Sequence, residues 1–129
     1  MRRRIGGAGA RRKGHQWERD VARMLAVIFG PGVHRGLQYR GADVPDVAGV
    51  PDWWIECKKG RRPSPLRALR QAIAASEASG LRPVAICRED GREATATLRL
   101  ADFLGLIAPA TGDLQPPTDG DDHERQRRA

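Results

Sequence analysis

The chain has 129 residues, 40% of them hydrophobic and 30% charged, with a formal net charge of +7. That length makes one ordinary domain, no internal repeat divides it, and the apolar fraction suffices for a single core. Two cysteines, a basic start with no apolar run behind it and the lack of any span-length apolar window exclude a disulfide-stapled scaffold, an export signal and a membrane-spanning helix, so a cytoplasmic setting is expected.

The sequence pI of about 10.6 makes nucleic acid the first partner to consider, because each Lys or Arg docked on a phosphate releases condensed counterions. Residues 1–12 combine Arg2, Arg3, Arg4, Arg11 and Arg12 with Gly and Ala. They read as a flexible basic arm, with Lys13 beside it at the start of the folded domain. From Gly14 to Phe29, Trp17, Val21, Met24, Leu25 and Ile28 recur at three- and four-residue spacing, which predicts a helix stopped by Gly30-Pro31-Gly32.

Val33–Arg40 and Asp46–Ala48 are expected as short strands on either side of the Gly41–Pro45 break. Gly49-Val50-Pro51-Asp52 is turn chemistry, so the β-prone run Trp53–Lys58 should pair back as a hairpin. After the basic loop Lys59-Gly60-Arg61-Arg62, Ser64 can cap and Pro65 can open a helix that runs to Ser79 before Gly80. Pro83–Cys87 reads as a buried strand and Glu93–Leu100 as an alternating one, leading to a short apolar helix near Phe103–Ile107. The order α-β-β-β-α-β-β-α predicts an α/β domain over residues 13–108, a mixed central sheet flanked by helices. Residues 109–129 hold too little apolar material to repay their ordering and are expected to be a disordered tail.

The chemistry-bearing group lies in the hairpin. Side chains alternate along a strand, so Glu56 and Lys58 share one face with Trp54, while Trp53, Ile55 and Cys57 take the other. A tight hairpin folds Asp46 back toward Glu56, and two carboxylates are hard oxygen ligands suited to Mg²⁺. A metal so held lowers the pKa of its bound water, and Lys58 stands ready to orient the nucleophile or stabilise charge on a phosphate. A bare Glu-x-Lys arises by chance in roughly a third of chains this long, and its ordinary reading is a surface charge pair. Its weight here comes from the apolar company of Glu56 and Lys58, from Glu18 at the margin of the first helix's apolar stripe, and from the basic loop beside Lys58. Asp43 and Asp52 compete with Asp46 for the metal-binding role. Both lie in turn-like sequence where Asp is common, which favours Asp46. Gln71 lies opposite the Leu69 and Ile73 stripe and stays outside the candidate site.

Lys13-Gly14-His15-Gln16-Trp17-Glu18, Arg40-Gly41 followed by Pro45-Asp46-Val47, and Ile55-Glu56-Cys57-Lys58 leading into a helix and a strand together resemble the PD-(D/E)xK nuclease superfamily. Within it, the match over residues 12–107 is similar to the archaeal-type and phage Holliday junction resolvases. The resemblance implies a restriction-endonuclease-like core with the α-β-β-β-α-β order and a metal, Mg²⁺ with Mn²⁺ able to substitute, held by Asp46, Glu56 and the Cys57 carbonyl. It further implies that Lys58 is catalytic and that Glu18 supports metal or water. A homodimer acting on branched DNA in phage or mobile-element recombination and replication, in a bacterial or archaeal cell, follows from the same resemblance. Arg11, Arg12, Lys13, Arg40, Lys59, Arg61 and Arg62 are the expected nucleic-acid contacts. A nickase, a restriction-type or a RecB-like nuclease would share these residues, and a non-catalytic nucleic-acid-binding module would share the basic ones.

Overall fold

The computed structural model describes residues 7–37 and 44–108. Arg2, Arg3 and Arg4 of the expected arm, Arg40, Asp43 and the expected tail lie outside the described residues. The elements in chain order are α1 (Gly7–Phe29), β1 (His34–Arg35), β2 (Val47–Ala48), β3 (Trp53–Gly60), α2 (Pro65–Ser76) with a 3₁₀ turn (Glu77–Ser79), β4 (Arg82–Glu89), β5 (Ala94–Leu98) and α3 (Leu100–Ile107). The protein is α/β, with a mixed five-stranded sheet ordered β1-β2-β3-β4-β5. Only the β3–β4 pair is parallel, joined by α2, and the other pairs are antiparallel.

α1 starts at Gly7, seven residues before the expected Gly14, so Arg11 and Arg12 are helical rather than part of an irregular arm. The cause is local: Ala and Arg are good helix formers, and once the Trp17–Ala22 segment is anchored, extension backward needs no new nucleus. Trp17, Val21 and Ala22 pack on Val33, Val47, Ile55, Cys57 and Val84, covering one sheet face. The expected stripe is only partly buried, since Met24 and Ile28 are exposed. The helix is 23 residues long, whereas β1 and β2, which it also contacts, have two residues each.

Within the expected strand Val33–Arg40, His34–Arg35 is strand among the described residues, and residues 38–40 lie outside them. Gly36 carries the β1–β2 register one pair further, its amide donating to the Asp46 carbonyl at 2.8 Å, and its backbone presses on Pro45 so closely that an added Cβ would strike the Pro45 carbonyl oxygen. α2 has the expected start: the Ser64 hydroxyl accepts from the Arg67 amide and Pro65 follows. It covers the opposite sheet face, where Ala68, Leu69 and the half-buried Ile73 meet Ala85 and Cys87. Both cysteines are free and buried.

The chain divides into two compact units, residues 1–98 and 99–129. The sheet, α1 and α2 belong to the first. α3 belongs to the second. It carries Leu100, Phe103, Leu106 and Ile107 exposed, with Arg99 paired to Asp102 at 3.1 Å. No helix among the described residues is long and apolar enough to cross a membrane.

Candidate active site

The β2–β3 hairpin sets the site. Gly49 takes a left-handed φ of 85° and Asp52 one of 69°, a turn that reverses the chain within four residues. Antiparallel pairing of Val47 with Ile55 follows, and continuing that register by one residue sets Asp46 opposite Glu56. The Asp46 amide donates to the Ile55 carbonyl at 2.9 Å, which fixes the residue at the end of the ladder. Asp52 is exposed, and its carbonyl accepts from the Arg82 amide, so it serves the turn and the start of β4.

The Asp46 carboxylate is nearly buried and accepts from the Cys57 amide at 2.8 Å. Within one strand residue the N–H and C=O point the same way, so the Cys57 carbonyl is directed to the Asp46 side of β3 as well. The Cys57 thiol faces the α1 core, and burial pushes its pKa up, away from thiolate chemistry. Only its main chain belongs to the site.

Glu56 is 6% exposed, a rare setting for a carboxylate. Its pKa is pushed up to about 7, first by burial and then by the neighbouring Asp46 charge, against the Trp54 hydrogen bond and the Lys58 ammonium, which favour the ionised form. The Trp54 indole N–H donates to the Glu56 carboxylate at 3.4 Å, and the ring is itself buried. Lys58, two residues on and on the same face, is exposed.

Glu18 comes from α1. Its pKa is raised by partial burial and by Asp46, and lowered in turn by Arg35 and His15. Arg35 from β1 meets the Glu18 carboxylate at 3.3 Å, both side chains half-buried. The structure thus brings Asp46, Glu56, the Cys57 main chain and Glu18 into one electrostatically coupled group, with Lys58 within reach of Glu56.

Of the expected nucleic-acid contacts, Arg11, Arg12 and Lys13 are exposed on the first turns of α1, and Lys59, Arg61 and Arg62 are exposed at and beyond the end of β3. Lys59 points to the α1 face, opposite Lys58, and so does not line the carboxylate side. Gln71 is exposed on α2. Sequence reasoning missed Arg35, and it placed Trp54 on the face of Glu56 without giving it a part in the site. Trp54 carried a usable signal, its two-residue spacing from Glu56. Arg35 carried none, since the strand that presents it is two residues long and has no pattern of its own.

Two facing carboxylates that repel one another, one of them forced toward protonation, suit a divalent cation, and the Cys57 carbonyl supplies a third oxygen of the hard type that Mg²⁺ prefers. Among the described residues, no three His, Cys, Asp or Glu side chains form a metal-holding group, so the donor set rests on two side chains and the main chain. No protein-family model, curated protein or solved structure matches this chain.

Proposed function

We propose that the chain is a Mg²⁺-dependent DNA endonuclease of the restriction-endonuclease-like fold, hydrolysing phosphodiester bonds in branched DNA. The observation that carries this reading is the facing pair Asp46 and Glu56 on adjacent strands, with Lys58 one turn of the pleat further on. The sequence resemblance to Holliday junction resolvases and the net charge of +7 point to the same substrate class.

Asp46, Glu56 and the Cys57 carbonyl would hold the cation. When bound, it supplies a water of lowered pKa and a positive charge beside the scissile phosphate. Asp46 is kept in place by two backbone contacts, to the Cys57 amide and the Ile55 carbonyl, so its carboxylate needs no reordering on loading. Trp54 holds one Glu56 oxygen and excludes water from that side. Lys58 is free to meet a phosphate oxygen and stabilise the charge that builds there. Glu18, poised between the Asp46 charge and Arg35, orients water at the margin of the pair.

The test mixes purified protein with a labelled four-way junction and a matched linear duplex, in Mg²⁺ and in EDTA. Metal-dependent cutting of the junction is expected, with Mn²⁺ supporting the same cuts, and sedimentation equilibrium should give the mass of the homodimer that the resemblance implies. Cuts in linear duplex would move the assignment to a nickase, restriction-type or RecB-like activity. Absence of cutting on either DNA defeats the enzyme reading and leaves a nucleic-acid-binding module. Glu56→Ala and Lys58→Ala are each expected to abolish cutting while junction binding persists, since phosphate contacts supply most of the affinity. Full activity in either variant refutes the residue roles.

A further inference from the structure

Lys58 and Lys59 are adjacent in sequence and leave β3 on opposite faces. Lys59 reaches over Trp17 of α1, its Nζ 5.9 Å from the ring centroid. Arg88, its register partner on β4, holds its guanidinium carbon at 5.9 Å from the same ring. The ring is fixed: Trp17 is 3% exposed and its indole N–H donates to the Ile86 carbonyl at 3.2 Å. Two cations on neighbouring strands, about 4.8 Å apart at the backbone, repel one another, and attraction to one indole ring offsets only part of that.

An open groove of about 880 Å³ runs from Trp17 past Asp20, Arg23 and Met24 to Arg88 and the β4–β5 turn at Gly91 and Arg92. Its acids are largely committed. Asp20 is bound by Gln16 and Arg23, although its charge also reaches Lys59. Arg92 pairs with Glu89 at 3.5 Å, and Glu93 lies exposed at the rim. Among the described residues, neither Lys59 nor Arg88 joins an ion pair. The Arg88 Nε donates to the Arg92 carbonyl at 3.0 Å, which aims the guanidinium without neutralising it.

We propose that Lys59 and Arg88, both held over the Trp17 ring beside the groove that Trp17 and Arg88 line, form a second phosphate site that grips a nucleic-acid backbone phosphate apart from the Asp46–Glu56 pair. One phosphate bridges two cations a strand apart, with the guanidinium giving paired donors and the ammonium a point charge. The site lies on the β4 side of α1, whereas Glu18 meets Arg35 on the β1 side, so the nucleic acid is held on both flanks of one helix. Its ligand is the substrate class of the proposed nuclease, and in that respect it rests on that reading.

The test measures affinity of the full chain for a labelled four-way junction in EDTA across a salt series. Wild type is compared with Lys59→Met/Arg88→Met, which keeps apolar stems on Trp17, and with Arg88→Lys, which keeps the charge. With one phosphate no longer neutralised, the slope of log affinity against log salt is expected to be shallower by about 0.9 in the double variant. Arg88→Lys should keep the wild-type slope, whereas Lys59→Glu, at an exposed position, should make it shallower and holds the proposal to account if the double variant does not fold. An unchanged slope in a folded double variant overturns the site while leaving the nuclease reading standing. No junction binding by wild type at low salt overturns that reading and this site with it. Polyglutamate competes in a parallel arm: binding that depends on Lys59 and Arg88 without any change in the DNA slope overturns the phosphate site and reassigns the groove to an acidic protein segment.

Discussion

Among single residues, Glu56 is the group whose environment most constrains its chemistry. Its pKa stands at about 7, raised from the ordinary 4.5 of a Glu carboxyl. The folded state therefore binds the proton more tightly than the unfolded chain. The stability this supplies is complete below the ordinary value and is lost as pH rises from about 4.5 through about 7. In EDTA, the melting temperature should fall across that window, and Glu56→Gln should flatten the fall. A wild-type curve level from pH 5 to pH 8 contradicts the burial argument. Mg²⁺ competes with that proton, so calorimetric affinity for Mg²⁺ should strengthen as pH rises through about 7. Trp54→Phe removes the N–H that favours the ionised carboxylate while keeping most of the ring, and should move both transitions to higher pH. Coincident curves for Trp54→Phe and wild type would make Trp54 packing alone.

Among the elements, the hairpin that presents the site depends on contacts that side-chain patterns do not encode. Gly36→Ala places a Cβ against the Pro45 carbonyl oxygen, and the backbone next to Asp46 must move to admit it. The expected cost is about 2–4 kcal/mol in urea unfolding, with weakened metal binding in whatever folds. Ser64→Ala, by contrast, removes one side-chain acceptor at the start of α2, a cost of about 1 kcal/mol with the carboxylate pair untouched. Equal losses in the two variants would contradict this ranking. The same contrast explains what could be read from the sequence. Helical spacing announced the Trp17–Val21 face, Ser64-Pro65 announced the start of α2, and the alternation in Trp53–Lys58 separated the Glu56 face from the Ile55 face, because each is a local rule. The close approach of Gly36 to Pro45 was illegible, since the two are nine residues apart with no shared pattern. The Arg35–Glu18 pair was illegible for a like reason: it joins a helix to a two-residue strand across the sheet edge.

Across the molecule, the excess of positive charge divides into patches with different surroundings. Lys59 and Arg88 lie over one indole, whereas Arg11, Arg12 and Lys13 stand exposed on the first turns of α1. The first turn of α1 holds no acidic residue, so these cations add to the positive end of the helix dipole instead of offsetting it. That concentration is costly within the folded chain and favourable against a polyanion. Because Arg11 lies seven residues before Glu18, two helical turns along the same side, phosphates held there would lead toward the carboxylates. Changing Arg11, Arg12 and Lys13 together to Ala should weaken DNA binding and make its salt dependence shallower by about 0.9 for each phosphate left without a cation, while the positions of the cuts stay the same. Ala also raises helix propensity, so a folding defect should not accompany the change. Shifted cut positions would show that the first turns of α1 select the register of the substrate, and an unchanged salt slope would remove them from the binding surface.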